Sequence, residues 1–157
     1  MDLPDASLRV IAAARQRGLD IDIHVFPEGT KTSADAAAAA GCELSAIAKS
    51  LVFVVDGQSV VVIMSGDHRV DPDLLADAFG GEDSRRAGLD EARQATGFAA
   101  GGTPAFGYAT PVEVVIDRSL QRHTEVWSAA GTPTTVYPIQ LDDLVAASGA
   151  RWVDVAD

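Results

Sequence analysis

Only two of the twelve basic residues in this 157-residue chain are lysines, Lys31 and Lys49; the other ten are arginines. Lys49 lies in AIAKSLVFVV, where a polar stretch gives way to a run of β-branched and aromatic residues that reads as a buried strand. An ammonium at such a boundary is partly desolvated, which lowers its pKa and lets it orient or polarise an ester. The competing reading is a lysine that extends its charge back to water from a strand end. A second candidate is TGFAAGGTPAFGYATP, Thr96 to Pro111, too rich in glycine and proline for a helix and poor as a strand. Its Gly101–Gly102 pair, followed by Thr103–Pro104 and Phe106–Gly107, leaves backbone N–H groups unshielded by bulky side chains. Such groups can hold the oxyanion of a tetrahedral intermediate. A plain connecting loop closed by Pro104 would have the same composition.

Other chemistries find no pattern to support them. His24, His68 and His123 are far apart, and none belongs to an HxxH, HExxH or Cys–His spacing, so no metal site is expected. Cys42 follows a helix-ending glycine and has no histidine partner in the sequence, which suits a small filler better than a nucleophile. GxSxG, SxxK, GxxxxGK[ST] and GxGxxG are all absent, leaving serine hydrolysis and nucleotide cradling without their usual motifs. No cofactor is implied.

Composition narrows the class further. Hydrophobic residues make up 47% and charged residues 22%, as in an ordinary globular protein, and the length fits one domain spanning residues 1–157. MDLPDASLRV carries acids and a proline where a signal peptide would need a basic start, and no apolar run is long enough to cross a bilayer. One cysteine rules out an internal disulfide. A cytoplasmic protein with no membrane partner is expected. The net charge of −11 argues against a broad phosphate-binding surface, because nucleic-acid affinity comes largely from neutralising phosphates. A nucleic-acid partner would have to be held by a local basic patch, or only at its end.

The elements that must position these residues read as follows. Helical spacing predicts a helix over Leu3 to Arg17, stopped at Gly18, and alternation predicts a strand over Ile21 to Phe26. Thr32 caps a short alanine helix, with Asp35 three residues on and Gly41 ending it. SLVFVV and SVVVIM, joined through DGQ, form a hairpin. Asp71 and Pro72 start another helix, and a further short one covers Asp90 to Ala95. VEVVID, HTEVW and TTVYPI read as strands, followed by a helix from Leu141 to Ser148 and a last strand, RWVDV. Hairpins in the middle with helices between and around them indicate an α+β fold with a mixed or antiparallel sheet.

Several of these segments, in this order, resemble the YbaK / prolyl-tRNA-synthetase-associated domain family: TSADAAAAAGC, IAKSLVF, SGDHRVD, TGFAAGGTPAFG, VVID, EVWSAAGTP and the C-terminal DDL. The resemblance runs from about Ile21 to Val155. It implies an α+β fold around a curved, barrel-like mixed sheet. It also implies a deacylase that hydrolyses mischarged tRNA, cysteinyl- or alanyl-tRNA for proline in the best-known members, without metal or protein nucleophile. The family lysine falls on Lys49 with Ser50 beside it, and the family's glycine–proline loop falls on Gly101, Gly102, Pro104 and Gly107. Ala130 and Gly131 match an A-G pair expected to face the same pocket, and Phe26 stands where relatives place an aromatic wall. Thr103 and Ala105 depart from the residues common inside the loop, and Tyr108 replaces a frequent histidine, which leaves the accepted amino acid open.

The resemblance implies that Lys49 holds the terminal phosphate or sugar and polarises the site, while N–H groups around Gly101 and Gly102 steady the oxyanion. The attacking group would be water or a group on the substrate itself, a ribose hydroxyl or a cysteine thiol. Weak contact is expected at the tRNA acceptor end, near Lys49, Lys31 and Arg85–Arg86, or shared with an aminoacyl-tRNA synthetase. Two other readings stay open: a non-catalytic binding or regulatory module of the same fold, and a hydrolase of another small acyl ester.

Overall fold

The computed structural model describes residues 3–30 and 32–157. Its centre is the hairpin of β2 (Ala48–Val55) and β3 (Gln58–Ser65). Asp56 and Gly57 both take positive φ, 47° and 83°, the two-residue turn whose twist matches that of the strands it joins. β4 (Ser84–Arg86) pairs with β2 on the outer side, while β5 (Glu113–Asp117) and β8 (Arg151–Val153) add in parallel beyond β3, giving the order β4-β2-β3-β5-β8. A second, antiparallel sheet has the order β1-β7-β6, from His24–Val25, Thr135–Gln140 and Glu125–Ala129. The expected α+β fold is present, but the sheets do not close into a barrel. β6 meets the start of β2 only through a single bridge, Ile47 to Trp127, and the edge beyond that point stays unpaired.

The apolar runs of the central hairpin do not alternate because both faces of the larger sheet are covered. On one face Val52, Val61 and Ile63 pack with Val10 and Ala14 of α1 (Asp5–Gln16), with Phe98, Phe106, Ile116, Val126 and Tyr137, and with Leu144 of α5 (Leu141–Ser148). On the other, Phe53, Val55, Val60, Val62 and Met64 pack with Leu75 of α3 (Pro72–Ala78). A smaller cluster joins Ala36 and Ala37 of α2 (Ser33–Ala40) to Ile47 and Val136. No helix among the described residues is long and apolar enough to cross a membrane.

Local signals set most boundaries. Thr32 Oγ1 accepts the Asp35 N–H at 3.0 Å and Gly41 ends α2 in the left-handed region, while Asp71 accepts from Asp73 and Leu74 at the start of α3. The first strand is two residues long where the alternation predicts six, since only His24 and Val25 find partners on β7.

β4 has no strand signal, being Ser-Arg-Arg, and exists because Asp56 anchors the chain before it. The Asp56 carboxylate accepts the N–H groups of Glu82 at 3.1 Å and Asp83 at 2.9 Å, and its own N–H donates to Asp83 O at 2.9 Å. Asp56→Ala is expected to lower unfolding free energy in urea by about 1.5–3 kcal/mol, the range for hydrogen bonds to a charged group. Asp56→Asn, which keeps an acceptor and tolerates positive φ, is expected to recover much of the loss. Equal losses in the two variants would show that the carboxylate does not anchor β4.

Candidate active site

β4 covers β2 only over Phe53–Val55, and the first half of β2 has a bare edge. Backbone groups along a strand point alternately to its two sides. Ile47 O accepts from Gly66 on the β3 side, whereas Val52 O accepts from Ala87 on the β4 side at 3.0 Å. Even-numbered residues therefore turn their N–H and C=O away from β3, and those of Ser50 meet no strand. A cavity of about 370 Å³ runs along this edge. Consecutive residues Ile47 to Val52 line it, as expected when a strand presents its edge and not one face. Opposite them stand Thr30, Thr32 and Ala36, then Arg86 and Leu89, then Ala100, Gly101 and Thr103, and finally Trp127, Ser128 and Ala129 of β6.

Strand alternation places Lys49, Leu51 and Phe53 on the α3 face and Ser50 and Val52 on the other. Lys49 is half-buried and lines the cavity, and among the described residues no carboxylate lies within 4 Å of its ammonium. Its pKa is lowered, first by burial, then by the Arg86 and Arg69 guanidiniums, with Asp67 and Asp157 pulling the other way. Asp67 is kept from pairing with it. Arg122 Nη1 and Nη2 donate to the two Asp67 oxygens at 3.0 and 2.8 Å, and Ser65 Oγ donates to Oδ1 at 2.6 Å. Hydrogen bonding to Arg122 holds the Asp67 carboxyl well below the usual carboxylate range. The lysine is therefore left without a direct ion-pair partner among the described residues.

Across the cavity the two glycines of the loop separate in role. Gly101 is exposed, takes a φ of +87° and lines the cavity, and its N–H has no acceptor among the described residues. Gly102 is buried and does not line it. Its N–H donates to Ala99 O at 3.1 Å, its C=O accepts from Gly131, and a Cβ there would come within 2.7 Å of Gly131 O and the Thr132 backbone. The expectation of Gly102 as an oxyanion donor is therefore corrected: it is glycine because two backbones cross at that point. Thr103, whose N–H also lacks an acceptor among the described residues, stands beside Gly101 at the cavity.

Of the other expected residues, Ser50 lines the cavity, and its buried Oγ faces the Tyr108 phenol without completing a hydrogen bond. Pro104 is buried away from it, with its carbonyl accepting the Tyr108 hydroxyl at 2.7 Å, so Tyr108 and Ala105 support the loop from beneath and do not border the pocket. Ala130 is fully buried, its carbonyl accepting from Ser7 Oγ, and Gly131 packs on Ala6. The cavity is faced one to three residues earlier, at Trp127–Ala129. Phe26 lies behind the wall, packed on the α2 cluster with Trp127 and Cys42. Lys31 falls outside the described residues. Arg85 is taken up by Glu91 at 2.7 and 2.8 Å, leaving Arg86 as the member of that pair at the cavity. Sequence reasoning missed Leu89, Trp127 and Thr30 as lining residues: Leu89 and Thr30 carry no motif, Trp127 stands in EVWSAAGTP ahead of the pair expected to face the pocket, and all three reach the site only through tertiary packing. His24 lies edge-on to Trp127 and His123 meets Ser45, so neither lines the cavity.

A lysine whose folded pKa is lowered destabilises the fold while it is charged, fully below the folded value and no longer above the unfolded value of about 10.4. Lys49→Met is therefore expected to raise the thermal midpoint at pH 7. Its advantage over the parent should shrink as the pH climbs through the lysine range. A variant less stable than the parent at pH 7 would show that the ammonium is compensated.

Residues 27–147 match the family model described as the aminoacyl-tRNA editing domain. The chain is 33% identical over 136 residues to the uncharacterized protein YwhH of Bacillus subtilis (strain 168), covering 85% of this chain and 86% of that one. It is 31% identical over 133 residues to a proline–tRNA ligase of Geobacter sp. (strain M21), covering 84% of this chain but 23% of the ligase. A crystal structure of a protein proposed as a trans-editing enzyme for prolyl tRNA synthetase superposes with a TM-score of 0.93 at 35% identity, over 99% of both chains. On sequence and fold together, the chain belongs to the aminoacyl-tRNA editing domain family.

Proposed function

We propose that this protein hydrolyses the ester joining a small amino acid to the 3′-terminal ribose of a mischarged tRNA. The observation that carries the reading is that Lys49 and Gly101 line one cavity, the first with no ion pair and the second with no acceptor for its N–H among the described residues. Lys49 draws in and orients the anionic tRNA end. The Gly101 N–H, with that of Thr103 beside it, stabilises negative charge on the carbonyl oxygen as the tetrahedral intermediate forms. Water adds to the carbonyl carbon, the ester C–O bond breaks, and the departing ribose oxygen takes up the proton that the water gives up. None of the described lining residues is Asp, Glu, His or Cys, and a group on the substrate, such as the neighbouring ribose hydroxyl, can carry that proton. An activated ester held in this way needs mainly positioning.

Ala36, Ala92, Ala129 and Val136 give the cavity small apolar walls. These suit the side chains of alanine and cysteine, and esters of proline tRNA are the first to test, given the ligase relative. One methylene is worth only about 1–3 kcal/mol in such a pocket, so discrimination among small amino acids is modest.

A panel of mischarged tRNAs, cysteinyl- and alanyl-tRNA for proline first, is expected to release free amino acid, and Lys49→Ala to lose about 10²-fold or more in rate. Full activity in Lys49→Ala would overturn the catalytic role of the lysine. Activity on free aminoacyl esters but on no charged tRNA would point to a different acyl ester as the substrate.

A further inference from the structure

The mouth of the cavity holds a second, unassigned group of residues on the segment from Arg86 to Leu89. Arg86 stands opposite Phe53 on β2, so strand alternation puts it on the same face as Lys49, and both line the cavity. Its guanidinium lies over the Phe53 ring at 5.9 Å and has no ion pair or hydrogen bond among the described residues. It stays so in a chain with 23 acidic residues against 12 basic ones. Glu91, on the same segment, is already bound to Arg85 and to the Gly88 N–H at 2.8 Å. Three residues on, Leu89 is 76% exposed, the most exposed large apolar side chain among the described residues, and it too borders the cavity.

Two unpaired cations beside an uncovered apolar side chain match the chemistry of a nucleotide, whose phosphate is anionic and whose base has a flat apolar face. We infer that Arg86 and Leu89 form the subsite for the 3′-terminal nucleotide of tRNA, with Arg86 joining Lys49 on its phosphate and Leu89 packing against its base. This inference rests on the tRNA-ester reading and deepens it. The two sides of the bare β2 edge then divide the substrate. The cationic α3 face takes the nucleotide from outside, and the side towards Gly101 and Ala129 takes the aminoacyl group. Arg86, unlike Lys49, acts on binding and not on the chemical step.

The test compares the parent with Arg86→Ala and Leu89→Asp on three aminoacyl esters: those of tRNA, of adenosine 5′-phosphate and of unphosphorylated adenosine. Binding of uncharged tRNA is measured alongside, as a function of salt. Arg86→Ala is expected to raise KM about tenfold on the two phosphate-bearing esters, to leave kcat near the parent value, and to leave the unphosphorylated ester unchanged. The slope of log affinity against log salt should fall by about one. Leu89→Asp should weaken all three substrates, and because the side chain is exposed both variants should keep the parent's thermal midpoint. Variants that match the parent on every ester and in tRNA binding would overturn the inference. So would an Arg86→Ala loss equal on phosphorylated and unphosphorylated esters. If the parent binds uncharged tRNA with the salt slope that Arg86→Ala reduces, yet cleaves none of the esters, the hydrolytic reading fails and the nucleotide subsite stands.

Discussion

An ammonium with no carboxylate partner among the described residues, set beside the stretch of β2 that none of their strands covers, is the constraint on which the site depends. A charged group that is half out of water ordinarily recruits an opposite charge. Here the carboxylate best placed to do so, Asp67, is bound through both oxygens by Arg122 and through one by Ser65. That arrangement keeps Lys49 available to a ligand. The bare edge has an equally local cause: β4 begins where Asp56 fixes it and pairs only as far back as Phe53, so the backbone of Ser50 opens onto the cavity.

Arg85, Arg118 and Arg122 are each committed to a carboxylate, and Arg15 lies 4.0 Å from Asp20. Among the described residues, the cations that line the cavity without an ion pair are Lys49 and Arg86. A strongly acidic protein can therefore meet a polyanion through one small area while repelling it elsewhere, which favours contact with the end of a nucleic acid over contact along its length. Affinity of this kind is modest and salt-sensitive.

Much of the fold was legible in the sequence because its signals are local. The Asp56–Gly57 turn, the Thr32 and Asp71 caps and the glycines after each helix act through neighbours a few residues away, and they appear where the residue types put them. Lys49 and Gly101 were legible as candidates for the same reason, each standing out against its surroundings. What could not be read is set by packing between distant segments. β4 carries no strand propensity and is made by the Asp56 side chain, which holds Glu82 and Asp83 just before it from 26 and 27 residues away. Gly102 and Gly131 look like ligand-facing glycines until their backbones are seen to cross, with Gly131 N–H donating to Gly102 O at 2.9 Å. Leu89 and Trp127 look like ordinary core residues, and only the course of the chain brings them to the cavity. The expected barrel fails on a similar point, one bridge at Ile47 and Trp127 being all that joins the two sheets along that edge.

With only two lysines in the chain, selective labelling of lysine side chains gives a nuclear magnetic resonance spectrum simple enough to follow Lys49 alone, a Lys49→Met sample assigning its signal. The most direct measurement is the pH titration of that signal, without ligand and with uncharged tRNA at saturation. The expected result is a midpoint below the ordinary lysine range in the free protein, moving upward when the anionic tRNA end binds beside the ammonium. A Lys49 signal that titrates like an exposed lysine and does not respond to tRNA would contradict the account.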